Sequence, residues 1–250
     1  MTPVKTLVLS YRRQMPRLGT RKLYYLIKPA LKARGIKLGR DGLFDYLRAQ
    51  RLLVRPNKRY TKTTDSKHWL KKYPNLLAEE PICRPEQVMV SDITYVESDE
   101  GVHYLSLVTD AFSRKILGHT LSRDLKASHP VKALKQALSS RQGRRRLIHH
   151  SDRGVQYCSA EYQAVLHAND ILPSMTDGYD CYQNALAERV NGILKQEFLG
   201  VRCRTFEQLE RLINESIEIY NQCRPHWSLG LQTPESVHKK AGCLRQPAPL

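Results

Sequence analysis

Several patterns that would assign a function at once are missing from this sequence of 250 residues. No run of about 20 apolar residues occurs, so we expect no membrane-spanning helix and no membrane partner. The six cysteines form no Cys-x-x-Cys pair, which argues against a structural zinc site and a disulfide framework. Phosphate-binding Gly-Lys-Ser/Thr loops and Ser-His-Asp or Cys-His motifs are also missing. Without a signal-peptide pattern, we expect a cytoplasmic protein.

Positive charge is abundant and unevenly placed. Residues 1–85 hold 21 Lys and Arg against 5 Asp and Glu, whereas residues 86–250 hold 20 against 19. A phosphate backbone is the usual partner of such a basic block, because each neutralised phosphate releases counterions. A ribosome-like basic segment and an anionic lipid surface are the alternatives. The distribution therefore predicts nucleic-acid binding by the first third of the chain.

The basic region has a helical pattern. Apolar residues at helical spacing predict a helix over residues 20–34, with Thr20 as N-cap and Gly35 as the stop, although Pro29 is expected to kink or split it. Asp41 is expected to cap a second helix. Two short basic helices around a glycine-containing turn are typical of a helix-turn-helix module, although many helical hairpins share this pattern.

From residue 87 onward the pattern changes to alternating, β-branched segments. We expect strands over residues 87–97, 102–109, 115–121, 146–149 and 171–173, and helices over 128–140, 160–169, 182–199 and 206–222. Three strands followed by alternating helices and strands predict an α/β fold with a mixed sheet. The predicted organisation is a helix-turn-helix-like DNA-binding region at 1–55, a basic linker at 56–86, a catalytic core at 87–238 and a tail at 239–250.

Three carboxylates stand out against this fold. Asp92 shares a strand face with Val88, Val90 and Val96, where a carboxylate is costly unless it is paired or binds metal. Asp152 follows the end of a strand, where open α/β sheets place their ligands. The alternative interpretations are that Asp92 is an edge-strand residue facing solvent and that Asp152 is an ordinary turn residue.

Glu188 is predicted to lie on a polar helix face with Asn184, Asn191 and Lys195. An ordinary solvated face is the alternative interpretation. Gly192, inside the same helix, costs roughly 1 kcal/mol relative to Ala, which indicates close approach of another backbone or of DNA.

Three carboxylates on two strands and a helix can meet at one end of a sheet. Hard oxygen ligands of this kind suit Mg²⁺, with Mn²⁺ as the alternative. Two such ions about 4 Å apart activate a nucleophile and stabilise a leaving oxygen in phosphoryl transfer.

Four segments occur in a characteristic order. They are Ser91-Asp92-Ile93-Thr94-Tyr95, Val108-Thr109-Asp110-Ala111-Phe112-Ser113-Arg114, His150-Ser151-Asp152-Arg153-Gly154-Val155-Gln156-Tyr157 and Asn184-Ala185-Leu186-Ala187-Glu188-Arg189. Between Asp152 and Glu188 lie 35 residues. The ordered set resembles the catalytic core of bacterial insertion-sequence transposases related to retroviral integrases. Tyr220-Asn221 with Arg224-Pro225-His226 and Leu229 resembles the C-terminal signature of that family.

This resemblance implies a ribonuclease-H-like fold in which Asp92, Asp152 and Glu188 are the catalytic, metal-binding triad of a DDE-type transposase holding two Mg²⁺. It also implies metal-dependent cleavage at element ends and joining of a freed 3′-hydroxyl to target DNA. We expect DNA contacts from Lys195, which matches a basic DNA-contacting position of such cores. The further expected contacts are Arg21, Lys22, Arg189 and Asn184.

The same resemblance implies a bacterial, nucleoid-associated protein that forms a homo-oligomer on DNA, with an upstream-frame product as a further partner or fusion. One rival is a nuclease of the same fold that cuts RNA in hybrids, which Lys195 and the basic region disfavour. Another rival is a non-catalytic DNA-binding repressor, which the intact triad disfavours.

Overall fold

The computed structural model of this chain describes residues 2–54, 69–77, 81–141, 145–177 and 184–243. Its helices and strands in chain order are α1 (Pro3–Gln14), α2 (Thr20–Ala33), α3 (Arg40–Ala49), β1 (Val88–Ser98), β2 (Gly101–Asp110), β3 (Ile116–Ser122), α4 (Ser128–Ser139), β4 (Leu147–Ser151), α5 (Val155–Cys158), α6 (Ala160–Ala168), β5 (Ile171–Met175), α7 (Ala185–Ile193), α8 (Phe206–Gln222) and α9 (Pro234–Cys243). A π-helical turn, Leu194–Phe198, continues α7, and a 3₁₀ turn, Trp227–Leu229, lies between α8 and α9.

The five strands form one mixed sheet in the order β3-β2-β1-β4-β5. β1, β2 and β3 are antiparallel neighbours, whereas β4 and β5 run parallel to β1. The predicted α/β fold with a mixed sheet is therefore confirmed. β5 extends to Met175, two residues beyond the predicted end.

Alternating side chains of β1 divide the molecule into two layers. Met89 packs with helices α4 and α6 on one face of the sheet. Val88 and Val90 pack on the other face, in a cluster that includes Ala187 of α7. Because side chains alternate along a strand, Asp92 points to the α7 face, as Val90 does.

Helix α4 lies unusually close to strand β3. A Cβ atom added at Gly118 would fall 2.0 Å from the carbonyl oxygen of Ala133. Only glycine allows the two backbones to approach so closely. This contact fixes α4 against the antiparallel half of the sheet.

The N-terminal region differs from the prediction in two details of its helices. Helix α1 was not predicted, although Pro3 stands in its first turn, where proline is favoured. Pro29 does not split α2, which runs without a break from Thr20 to Ala33. Pro29 is exposed and lies in the last turns of α2, so the lost hydrogen bond leaves its acceptor carbonyl near water.

The helix caps also differ. Gly19 and Gly39, not Thr20 and Asp41, precede the first residues of α2 and α3. Gly35, with φ of +66°, follows the end of helix α2 as predicted, because this left-handed conformation favours glycine.

Helices α1 to α3 share a hydrophobic core with helices α7 and α8. Leu23 and Ile27 of α2 belong to the same buried cluster as Val190 of α7 and Ile213 of α8. The basic region is thus packed directly on the layer that carries Glu188. The separate 1–55 region stays a prediction.

Parts of the predicted linker and tail, residues 55–68, 78–80 and 244–250, lie outside the described residues. The predicted boundary between residues 238 and 239 falls inside α9. Throughout the described part of the chain, every helix is too short or too polar to cross a lipid bilayer.

Candidate active site

Asp92 lies on β1, and Asp152 directly follows the neighbouring parallel strand β4. Val90 of β1 is paired with His150 of β4, and each Asp lies two residues further along its chain. Two residues along a strand restore the same face, so Asp92 points to the α7 side with Val90. The charge of Asp152 acts on the Asp92 carboxylate, so the two groups lie close together. Asp152 is the first residue after β4, and its Oδ1 accepts a hydrogen bond of 3.0 Å from the backbone N–H of Gly154.

The polar face of helix α7 packs against strand β1. Asn184 donates to the backbone oxygen of Ser91 at 3.3 Å, and Asn191 donates to Oδ2 of Asp92 at 2.7 Å. Lys195, in the π-helical turn, donates to Oγ1 of Thr94 at 3.3 Å. These bonds place the helix between Asn184 and Lys195, and therefore Glu188, beside the two aspartates.

The three carboxylates influence one another electrostatically. Burial raises the pKa of Asp92 to about 7, the charges of Asp152 and Glu188 contribute to the rise, and the hydrogen bond from Asn191 opposes it. Burial and the charge of Asp152 likewise raise the pKa of Glu188, although its side chain is largely exposed. Negative charge is therefore concentrated where the α7 face meets the ends of β1 and β4.

A divalent cation fits this donor set. The oxygens Asn184 Oδ1 and Asn191 Oδ1 are buried and have no hydrogen-bond donor among the described residues. A hydrated cation would supply the positive charge that the carboxylates lack and the donors that these amides lack. Within the described ranges, no three His, Cys, Asp or Glu side chains are arranged closely enough to hold an ion.

A buried polar network supports the aspartates from the other face of the sheet. His149 Nε2 lies 2.7 Å from Ser91 Oγ and 2.8 Å from the hydroxyl of Tyr162. Burial and then the neighbouring His150 lower the pKa of His149 to about 3, so the ring is neutral at pH 7. The network joins β1, β4 and α6 directly behind Asp92. It was not predicted from the sequence, although the adjacent pair His149-His150 was the available signal.

The residues expected to bind DNA have different environments. Arg21, Arg189 and Lys195 are exposed, whereas Asn184 is buried with its amide on Ser91. Lys22 is mostly buried and forms a 3.2 Å ion pair with Glu197. Its charge therefore already has a partner within the protein.

Gly192 lies in an open environment. Beyond its own helix backbone, a Cβ atom added at Gly192 would meet no atom of the described residues within 4 Å. The expected close approach of another protein backbone is therefore wrong for this part of the chain. The alternative, an approach of DNA to the helix at Gly192, stays a prediction.

A buried ion pair ties the N-terminal helices to the catalytic layer. Arg224 is 2 % exposed and binds both carboxylate oxygens of Glu197, at 2.8 and 2.6 Å. Burial works to raise the pKa of Glu197, but Arg224 and Lys22 together lower it. Because Glu197 follows Lys195 in the π-helical turn, this cluster connects α2 to the helix that carries Glu188.

Comparison with protein families gives two consecutive matches. An integrase core domain matches residues 83–181, and a second integrase core domain description matches residues 169–234. A 31 kDa protein of insertion element IS600 from Shigella sonnei is 36% identical over 89% of this chain and 81% of its own length. The transposase InsF of insertion sequence IS3A from Escherichia coli is 34% identical over 84% of this chain and 74% of its own length.

Solved structures share the fold. The catalytic core domain of HTLV-2 integrase, solved with magnesium, has a TM-score of 0.50 at 20% identity, covering 62% of this chain and 97% of that one. A simian T-cell lymphotropic virus intasome structure has a TM-score of 0.54 at 17% identity, covering 93% and 77%. The predicted ribonuclease-H-like fold is thereby confirmed.

Proposed function

This chain belongs to the insertion-sequence transposases with an integrase core domain, and we propose that Asp92, Asp152 and Glu188 are its catalytic triad. The protein acts in DNA transposition as a polynucleotidyl transferase. The observation that supports the triad is that Asp92 on β1, Asp152 at the end of the adjacent β4 and Glu188 on α7 act on one another electrostatically, beside the polar face of α7. The reaction is cleavage at element ends and attack of a freed 3′-hydroxyl on a target phosphodiester.

The three carboxylates would hold two divalent ions, Mg²⁺ by preference and Mn²⁺ as the alternative. Such ions activate the attacking oxygen and stabilise charge on the leaving oxygen. Asn191 orients Asp92 and favours its charged form by donating to Oδ2. His149 bonds the Ser91 hydroxyl, next to Asp92 in the chain, through a neutral hydrogen bond, so it adds no competing charge.

Exposed cations surround the carboxylates and would hold the DNA. Arg189 follows Glu188 directly, and Lys195 projects from the π-helical turn with its ammonium near Thr94. Burial and then the charges of Glu97 and Asp92 act on Lys195, with a net lowering of its pKa. Lys195 therefore lies within electrostatic range of the Asp92 carboxylate, as a contact to the reacting strand requires. Arg21, exposed on α2, is a further proposed DNA contact.

A homo-oligomer assembled on DNA is the proposed active form, since integrase-type cores are found in such assemblies. A partner from an upstream reading frame stays a prediction. An assay of nicking and joining distinguishes this function from its two rivals, the hybrid nuclease and the non-catalytic repressor.

Metal binding tests the triad independently of turnover. Thermal unfolding with increasing Mg²⁺ or Mn²⁺ should show a metal-dependent rise in melting temperature for the unaltered protein, because a bound ligand stabilises the folded state. Asp152→Asn should abolish this rise. Asp170→Asn is the matched control, since Asp170 is exposed in a turn with φ of +54°, where Asn is well tolerated. An equal rise for all three proteins would remove Asp152 from the metal site.

A further inference from the structure

Residues 69–77, here called the β5 strap, cross the open edge of the sheet. The backbone N–H of Met175 donates to the oxygen of Pro74 at 3.3 Å, and Leu76 N–H donates to Ser174 Oγ at 2.9 Å. Leu70 packs against the α4 and α6 layer, whereas Leu76 packs against the α7 layer. The strap is therefore fixed on both faces of the sheet.

The part of the β5 strap around Pro74 lies near the carboxylates. Met175, which bonds Pro74, is paired with Ser151, the residue before Asp152. Burial raises the pKa of the Cys158 thiol, and the charges of Lys72 and Asp152 also act on it. The Lys72 ammonium and the Asp152 carboxylate thus lie within electrostatic range of one sulfur atom. Trp69 is three residues from Lys72, within about 10 Å along the chain.

Trp69, Lys71 and Lys72 are the exposed side chains at the start of the strap, and Tyr73 beside them is half-buried. Trp69 is 92% exposed, an unusual state for the largest apolar side chain. Lys71 Nζ lies 5.1 Å from the ring centre of Tyr73, a cation–π contact. An exposed ring beside Lys side chains is the combination that single-stranded nucleic acid uses, since bases stack on rings while phosphates meet cations.

We propose that Trp69, Lys71 and Lys72 bind a DNA strand that passes the carboxylate site, with a base stacked on the Trp69 indole. The proposal rests on the proposed function, because that function brings a DNA 3′ end to Asp92 and Asp152. Bases paired within a duplex offer no open ring face. The strap therefore selects unpaired nucleotides at the end of the strand.

Tryptophan fluorescence reports directly on the stacking. The sequence has two Trp residues, so Trp227→Phe leaves Trp69 as the sole indole. Titration of this full-length variant with a short oligodeoxythymidine should quench its fluorescence to saturation. A blunt duplex at equal concentration should quench it far less. Absence of quenching by the oligodeoxythymidine would overturn the proposal.

Substitution separates stacking from apolar contact. Trp69→Leu keeps an apolar side chain without a ring face, and we expect about tenfold weaker binding of the oligodeoxythymidine, with duplex binding within about twofold. Trp69→Phe should retain most of the affinity. Lys72→Gln should reduce the slope of log affinity for the oligodeoxythymidine against log salt by about 0.7. Lys135→Gln, an exposed change on α4, is the control and should leave it unchanged.

Two other results would overturn the proposal. Equal affinities for Trp69→Leu and Trp69→Phe would exclude stacking, and loss of self-association in Trp69→Leu by sedimentation would make the strap a contact with a second copy. Metal-dependent nicking by the same preparations separates the two levels of inference. Nicking without quenching contradicts the strap alone, whereas an unaltered protein that nicks no DNA contradicts the proposed function.

Discussion

The side-chain amide of Asn191 donates a hydrogen bond of 2.7 Å to Oδ2 of Asp92, joining the helix of Glu188 to the strand of the first aspartate. This bond favours the charged form of a carboxylate whose pKa burial and its acidic neighbours raise to about 7. In the proposed metal site, this contact would prepare Asp92 to accept a cation. Asp92 is unusual on a strand, but Asn191 is an ordinary residue of a polar helix face, so only the folded structure shows that the two are paired.

Asn191→Ala should make metal binding more sensitive to protons. The lost hydrogen bond raises the pKa of Asp92, so protons compete better with the ion at pH 7 and no longer compete at pH 9. The Mg²⁺ concentration for half-maximal nicking should rise about tenfold at pH 7 and converge with the unaltered protein at pH 9.

Asn184→Ala is the control for this experiment. It makes the same change on the same helix face, but Asn184 donates to a backbone oxygen of Ser91 and not to a carboxylate. Its metal requirement should change equally at both pH values. A pH-dependent change of the same size would exclude a specific role for Asn191.

Arg224→Leu should strongly destabilise the fold. The substitution leaves Glu197 buried with Lys22 as its remaining partner, and breaking a buried ion pair costs about 3–5 kcal/mol. Arg48→Leu removes an equally short pair, 2.6 Å from Asp45, but both partners are exposed and the cost should stay below about 1 kcal/mol. Urea unfolding measures both. Similar losses for the two variants would mean that Arg224 does not hold α2 to the catalytic layer.

The low pKa of His149 predicts that the folded protein loses stability in acid. Its pKa of about 3 in the folded protein lies below the ordinary value of 6.5, so the unfolded chain binds the proton first as pH falls. The free energy of unfolding should therefore fall between pH 6.5 and about 3, by up to about 1.4 kcal/mol per pH unit for this group. His226 has a similarly low pKa, about 3, and adds a slope of the same sign.

His149→Gln should flatten the His149 part of this slope, because the Gln side chain does not titrate. Gln can also keep a hydrogen-bonding atom near the Nε2 position. His167→Gln, a change at an exposed histidine, should leave the slope as it is. Denaturant unfolding across this pH range makes the comparison. An unchanged slope for His149→Gln would show that His149 titrates in the folded protein much as it does in the unfolded chain.

Arg21→Gln and Lys22→Gln test two neighbouring cations with different partners. Arg21 is exposed, so its loss should reduce the slope of log affinity against log salt by about 0.9 on duplex DNA. Lys22 is paired with Glu197, so its loss should lower the free energy of unfolding and leave the salt slope nearly unchanged. Binding titrations at several salt concentrations separate the two. The reverse pattern would mean that DNA reaches Lys22 and not Arg21.

Much of the fold could be predicted because its signals are local. The β-branched and apolar residues of the strand that carries Asp92 predict its limits to within a residue, and α8 coincides with its predicted range. Helix α1 was not predicted although Val4 and Val8 repeat at helical spacing, because its basic residues leave only a short apolar stripe. The π-helical turn replaces the predicted end of α7, and no propensity in Leu194–Phe198 marks it.

The contacts between distant segments could not be predicted. Glu197 meets Lys22 across 175 positions of sequence, and the choice between an exposed DNA-binding lysine and a buried one depends on that meeting. Likewise, residues 69–77 have the composition of a linker, whereas packing fixes them along β5. Local patterns specify which residues face inward, but not which distant partner they meet.

Strand nicking and joining on a duplex that carries the element ends is the most direct test of the carboxylate site. With Mg²⁺ present, Asp152→Asn should lower both reactions by several orders of magnitude, since it removes an anionic ligand of ions that stabilise the transition state. DNA binding should persist, because the excess positive charge lies within residues 1–85. Near-normal nicking by Asp152→Asn, alongside intact DNA binding, would contradict the assignment of Asp92, Asp152 and Glu188 as the catalytic triad.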